Sequence, residues 1–157
     1  MSEEDFQEFL QPAIAEYAEE KVKAGTWAES EALQKSRDSF DGLLPSGMET
    51  QNQYLFVIID SGSGNKVGYF WFQLIERLFG REAFIYDFKI LEEFRGRSYG
   101  HQTMTAMDEM AKSMSIAKIS LHVFAHNQIA RKLYEKSGYH ETDINMSKWI
   151  EFNQIDC

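Results

Sequence analysis

The 157 residues carry a formal net charge of −9, with 43% apolar and 14% aromatic side chains, a composition that excludes disorder and suits one domain, 1–157, with a sizeable core. The charge is lopsided: residues 1–60 hold 13 acidic against 4 basic residues while the rest balances, which excludes the basic face that nucleic acid needs and leaves an acidic helix surface able to attract a cationic partner. A lone cysteine at position 157, an N-terminus without a basic leader and the absence of any long apolar run argue against a disulfide framework, a thiolate metal site and a membrane span, so the expected home is the cytoplasm.

Residues 2–24 are predicted to be helical, with Phe6, Leu10, Ile14 and Tyr17 on one side, Ser2 or Asp5 as the cap, and Pro12 as the point where the helix divides or begins. A second helix is expected over 29–41, ending near Gly42 and Pro45, followed by a polar, turn-like segment 45–52. Three strands follow, over 53–60, 66–78 and 82–91, with turns at Ser61–Asn65 and Gly80–Arg81. Strict alternation in the third puts Phe84, Tyr86, Phe88 and Ile90 on one face and Ile85, Asp87, Lys89 and Leu91 on the other. The period then changes: Met104, Met107, Ala111 and Met114 form the core stripe of a helix over 100–115. A fourth strand is expected over 118–125, a short helix between the cap Asn127 and the terminator Gly138, and one or two strands from Tyr139 onward. Short turns demand antiparallel pairs and the 100–115 crossover suits a parallel neighbour, so the fold class is α/β (α+β layered) with a mixed sheet.

Two segments carry chemistry. Arg95-Gly96-Arg97-Ser98-Tyr99-Gly100 leaves a strand and opens a helix, a turn whose backbone N–H groups, two glycines and two arginines suit a diphosphate. In the helix after Asn127, Tyr134 lies seven residues on, about two turns away and near the same line. Asn127 and Tyr134 taken singly are ordinary cap and packing residues. Histidines 101, 122 and 126 show no metal-ligand spacing.

Together these segments resemble the GNAT superfamily of N-acetyltransferases. Arg95 to Gly100 aligns with its Arg/Gln-x-x-Gly-x-Gly/Ala signature, and Asn127, Ala130, Leu133, Tyr134, Gly138 and Tyr139 match its Asn-x-x-Ala-x-x-Leu-Tyr-x-x-x-Gly-Phe/Tyr signature. The resemblance implies a central mixed sheet flanked by helices, acetyl-CoA as donor, and direct transfer to a primary amine of a small molecule or protein. It implies that Phe88, Lys89 and Ile90 hold the pantetheine arm, that Arg95, Gly96, Arg97, Ser98, Tyr99, Gly100 and His101 hold the pyrophosphate, and that Asn127 and Arg131 also touch the cofactor. Tyr134 stands where the family often has a general acid. Asp87, with Glu82 as second choice, is the expected base.

Two departures accompany it. Ser98 replaces the middle glycine, which opens a second reading as a CoA-binding regulatory module without catalysis. Met1–Phe6 looks like the family's strand-to-helix junction, so the first strand is expected to be missing, leaving a sheet edge open; a homodimer is an expected assembly. The family sets its acceptor with the first helices, their loop and the final strands; here Glu19, Glu20, Glu29, Glu31, Trp27, Tyr69 and Trp71 lead us to expect a cationic amine.

Overall fold

The computed structural model describes residues 1–148 and 150. Helices α1 (Glu3–Lys23) and α2 (Glu29–Leu43) cover one face of a four-stranded sheet made of β1 (Gln53–Ile59), β2 (Lys66–Arg77), β3 (Gly80–Ile90) and β4 (Ile116–Leu121). Helices α3 (Tyr99–Ser113) and α4 (Gln128–Lys136) cover the other. The strand order is β1-β2-β3-β4, with β1–β2 and β2–β3 antiparallel and β3–β4 parallel across the α3 crossover. This is the mixed, layered architecture expected. Among the described residues no helix is long and apolar enough to cross a membrane.

Helix α1 begins at a capping box. The Ser2 hydroxyl accepts from the Asp5 amide at 3.1 Å and the Asp5 carboxylate accepts from the Ser2 amide at 3.0 Å. Glu3 and Glu4 in the first turn and Lys21 and Lys23 in the last match the helix dipole. Pro12 sits inside the helix without dividing it. Its ring removes one donor to Glu8, a single lost bond that tertiary packing of Phe9, Ala13 and Ile14 outweighs. No strand precedes α1 among the described residues; the Met1 amine instead donates to the Leu55 carbonyl of β1 at 3.5 Å.

The sheet divides the core in two. Phe6, Phe9 and Ile14 of α1 and Phe40 of α2 pack on Leu55, Tyr69 and Trp71. Met104 and Met107 of α3 pack on Phe70, Phe72, Ala83 and Ile85. The methionine stripe is therefore core, as expected.

Strict alternation in β3 fails at a β-bulge. Trp71 faces Asp87 and Phe72 faces Ile85, so Tyr86 has no partner of its own on β2. Tyr86 consequently stacks on Trp71 on the α1/α2 side, while Phe88 packs beside Phe70 on the α3 side. Tyr86 and Phe88 thus lie on opposite faces, a correction to the alternation read from the sequence. The strands expected after Tyr139 are also corrected: residues 139–148 form none, and the remainder of that expectation, with Cys157, lies outside the described residues.

Candidate active site

Pairing between β3 and β4 ends at Ile85 opposite Leu121, yet β3 runs five residues further, to Ile90, bonded to β2 alone. The bulge at Tyr86 falls where the two strands part. From Tyr86 to Ile90, β3 therefore presents a free edge of backbone donors and acceptors, the arrangement an extended, amide-bearing ligand can join as a further strand. Phe88, Lys89 and Ile90 form this edge.

The turn beyond it is shaped for an anion. Gly96 adopts φ 74° and Ser98 φ 64°, both left-handed, and α3 starts immediately after. The first helical bond runs from Gln102 to the Ser98 carbonyl, and among the described residues no backbone carbonyl accepts from the amides of Gly96 to His101. Nor does the Ser98 side chain cap the helix. These amides and the dipole of α3 form a cradle for phosphate. Arg95 donates Nε to the Ile90 carbonyl at 3.1 Å, and the Arg97 guanidinium lies 5.8 Å from the Phe94 ring, so both cations are held at the turn without a carboxylate. A Cβ on Gly100 would stand 3.2 Å from Leu133 and 3.9 Å from Phe88. Glycine there lets α3, α4 and the free end of β3 converge. The donor set, the left-handed turn and the unpaired strand edge fit a nucleotide-linked pantetheine such as CoA.

Helix α4 borders the same gap. Asn127 caps it, its side chain accepting from the Ala130 amide at 3.1 Å, so Asn127 has a structural duty. Arg131 is turned to Glu141. Gly138, at φ 89°, ends the helix as expected. Tyr134 is partly buried beside Tyr139, whose own hydroxyl is buried without a hydrogen-bond partner. Burial, reinforced by the charge of nearby Asp87, pushes the Tyr134 hydroxyl up to about 12.

Asp87 lies on the α1 side of the parted strands. It lines a cavity of about 280 Å³ with Phe9, Pro12, Ala13, Tyr69 and Lys89. Burial, with Glu16 adding to it and Lys89 opposing, pushes its carboxyl up to about 7. Glu82 has the opposite surroundings. It is 5% exposed and bonded to Ser120 at 2.6 Å, Arg77 at 2.7 Å and Lys118 at 3.2 Å, which together hold it down to about 2. Glu82 is thus a structural carboxylate at the paired end of β3, and the expectation of it as an alternative base is withdrawn.

Sequence reasoning also missed what α1 does with its acids. Asp5 and Glu8 hold Lys66 of β2, Glu16 holds Lys89 of β3, and Glu20 holds His126 beyond β4. The helical spacing of these carboxylates was legible; their partners were not. The residues taken to favour a cationic acceptor are redistributed accordingly: Glu20 also pairs with Lys23, Glu31 pairs with Lys35, Glu19 and Glu29 are exposed, and Trp71 is 1% exposed with its indole N–H bonded to Gln53. Tyr69 is buried and touches Glu8. Of that set, Tyr69 alone lines the Asp87 cavity, and Trp27 packs edge-on against Tyr17. Among the described residues no group of three His, Cys, Asp or Glu side chains could hold a metal.

The sequence matches the model of the acetyltransferase (GNAT) family over residues 13–139. The chain belongs to that family. It is 47% identical over 148 residues to the uncharacterized N-acetyltransferase YycN of Bacillus subtilis (strain 168), covering 94% of each chain, and 36% identical over 150 residues to the uncharacterized N-acetyltransferase YdgE of the same strain, covering 96% of this chain and 95% of that one. The crystal structure of YycN superposes with a TM-score of 0.91, 46% identity and coverage of 97% and 96%. Membership gives this GNAT acetyltransferase its activity class, acetyl transfer.

Proposed function

We propose that this GNAT protein transfers the acetyl group of acetyl-CoA directly to a primary amine of a small molecule or protein, polyamine-like, aminoglycoside-like or peptidic. The observation that carries the reading is the parting of β3 and β4, with an anion cradle on one face of the gap and Asp87 and Tyr134 beside it. Acetyl-CoA supplies a thioester activated for acyl transfer. Phe88 to Ile90 hold its pantetheine arm along the free edge, and the amides from Gly96 to His101, with Arg95 and Arg97, hold its phosphates. Asp87 takes the proton that the ammonium must lose before its nitrogen attacks, and a group near 7 is well matched to that task at neutral pH. The free N–H groups of β3 stabilise the carbonyl oxygen as it gains charge. The Tyr134 hydroxyl, protonated at every working pH, gives its proton to the departing sulfur. The charge argument for a strongly cationic acceptor has weakened, because the acids it relied on are paired or solvated at the surface.

The Tyr134→Phe variant tests the assignment. Its expected phenotype is a loss of about 10²-fold in kcat, by release of free thiol, with acetyl-CoA affinity unchanged by calorimetry. Tight acetyl-CoA binding with no thiol release from wild-type protein for any amine would instead favour a regulatory CoA-binding module, a reading to which the left-handed Ser98 lends some support.

A further inference from the structure

Arg95, Arg97 and Lys21 share a trait: each is fixed in place by something other than a carboxylate. The Lys21 ammonium lies 5.3 Å from the ring of Tyr17, 5.5 Å from that of Trp27 and 5.8 Å from that of Phe124. Three rings orient an ammonium and stabilise its charge, yet they give its three N–H groups no acceptor of ordinary strength. By contrast Lys66, Lys89, Lys118 and His126 each meet a carboxylate. Among the described residues Lys21 makes no such pair. Arg95 and Arg97 stand at the phosphate cradle, where an incoming anion answers them. Lys21 stands on the other face of the sheet, at the end of α1, between the α1–α2 connection and the segment after β4.

Of the acids of α1 within five residues of Lys21, Glu16 pairs with Lys89 and Glu20 with both Lys23 and His126, while Glu19, two residues away and exposed, lies on a different side of the helix. His122, packed edge-on to Phe124, is pushed down by burial and by Lys21, so its ring is held toward the neutral form. The surroundings of Lys21 therefore carry an unanswered positive charge. Five to eight residues of helix separate it from Glu16 and from Ala13 in the wall of the Asp87 cavity, roughly 8–12 Å along the axis.

We propose that Lys21 is the anion-recognition subsite of the acceptor pocket. Tyr17, Trp27 and Phe124 present its ammonium to a carboxylate or phosphate borne by the same molecule as the amine, at a separation on the scale of the roughly 8–12 Å of α1 between Lys21 and the wall of the Asp87 cavity. This rests on the amine-transfer reading above and narrows it to acceptors that carry an anion at that separation.

The test uses the full chain with acetyl-CoA and straight-chain ω-amino acids, aminoalkyl phosphates, diamines and monoamines of matched lengths. The anionic amines are expected to show the lowest KM, with an optimum length, and the carboxylate and phosphate arms tell the two sources apart. Lys21→Met should raise KM for the anionic amines about tenfold with kcat unchanged and shift monoamines by less than about twofold, while Lys21→Arg restores most of the loss. Titration of the His122 ring by NMR with aminooctanoate gives an independent readout: the bound anion should raise the His122 pKa in the wild type and not in Lys21→Met. Preference for diamines, equal KM for monoamines and anionic amines, or a Lys21→Met variant with unaltered KM overturns the proposal. If CoA binds and no amine is acetylated, the transfer reading fails, and the His122 titration alone decides: a shift supports the anion site and none overturns it.

Discussion

One strand, β3, runs through two contrasting environments. Its first half is flanked by β2 and β4, and the carboxylate there, Glu82, receives a hydroxyl and two cations and stays ionised far into acid. Its second half is flanked by β2 alone, and the carboxyl there, Asp87, is half-buried with Glu16 close by and is pushed up to about 7. Five residues separate two acids of nearly equal intrinsic strength. What distinguishes them is the supply of donors, which stops where the neighbouring strand stops. A carboxyl poised near neutrality stands where the sheet leaves its own backbone edge unpaired.

The largest effect that probes this contrast is on rate. Asp87→Asn should lower kcat/KM by about 10²–10⁴-fold with acetyl-CoA affinity retained, and should abolish the rise in rate with pH expected of the wild type through about 7. The sign follows from the chemistry, since the carboxyl must be ionised to accept the ammonium proton. The same shift has a cost in stability. Because the folded pKa lies above the unfolded one, the wild type loses stability as pH rises from the ordinary aspartate value to about 7, so at pH 8 Asp87→Asn should unfold at higher denaturant, by about 2 kcal/mol.

Glu82→Gln should do the reverse, destabilising by about 2 kcal/mol at neutral pH in denaturant titrations while the folded enzyme keeps its rate. Glu82 has a folded pKa below its unfolded one. Its contribution is therefore present above the usual glutamate range and is lost as pH falls toward about 2, where mutant and wild type converge. If Glu82→Gln proved catalytically dead but stable, the two halves of β3 would have been assigned the wrong way round. The smallest effect is expected at Ser98. Ser98→Gly removes the strain of a left-handed serine and restores backbone freedom to the unfolded chain, two opposed effects that leave a net gain below about 1 kcal/mol and CoA affinity equal or slightly higher.

What could be read from the sequence was local. The cap at Ser2, offered with Asp5 as its alternative and found to join Asp5 in a capping box, the Asn127 cap, the Gly138 terminator and the Arg95–Gly100 turn depend on a few consecutive residues. The methionine stripe of α3 was equally plain, because a helical period survives any choice of neighbour. The bulge at Tyr86 was not legible: an extra residue in a strand shows only against its partner's register. Nor could alternation after Tyr139 say whether a neighbouring strand would be there to pair with it; Ile144 and Met146 are exposed. Of the site, the cofactor side was carried by two linear motifs. The α1 side of the gap was not, since its contacts, Asp87 beside Lys89, Glu16 on Lys89 and Lys21 over Phe124, join α1, β3 and the segment after β4 only in three dimensions.

The acidic face of α1 has a mechanical consequence. Glu16 grips a residue of β3 and Glu20 grips one just past β4, on either bank of the opening between those strands. The two glutamates are one helical turn apart, roughly 6 Å along the axis. The helix spans the slot and ties its two banks through these two pairs. A single residue inserted between Glu16 and Glu20 would rotate one grip away by about 100°, and the two banks would lose their common tie.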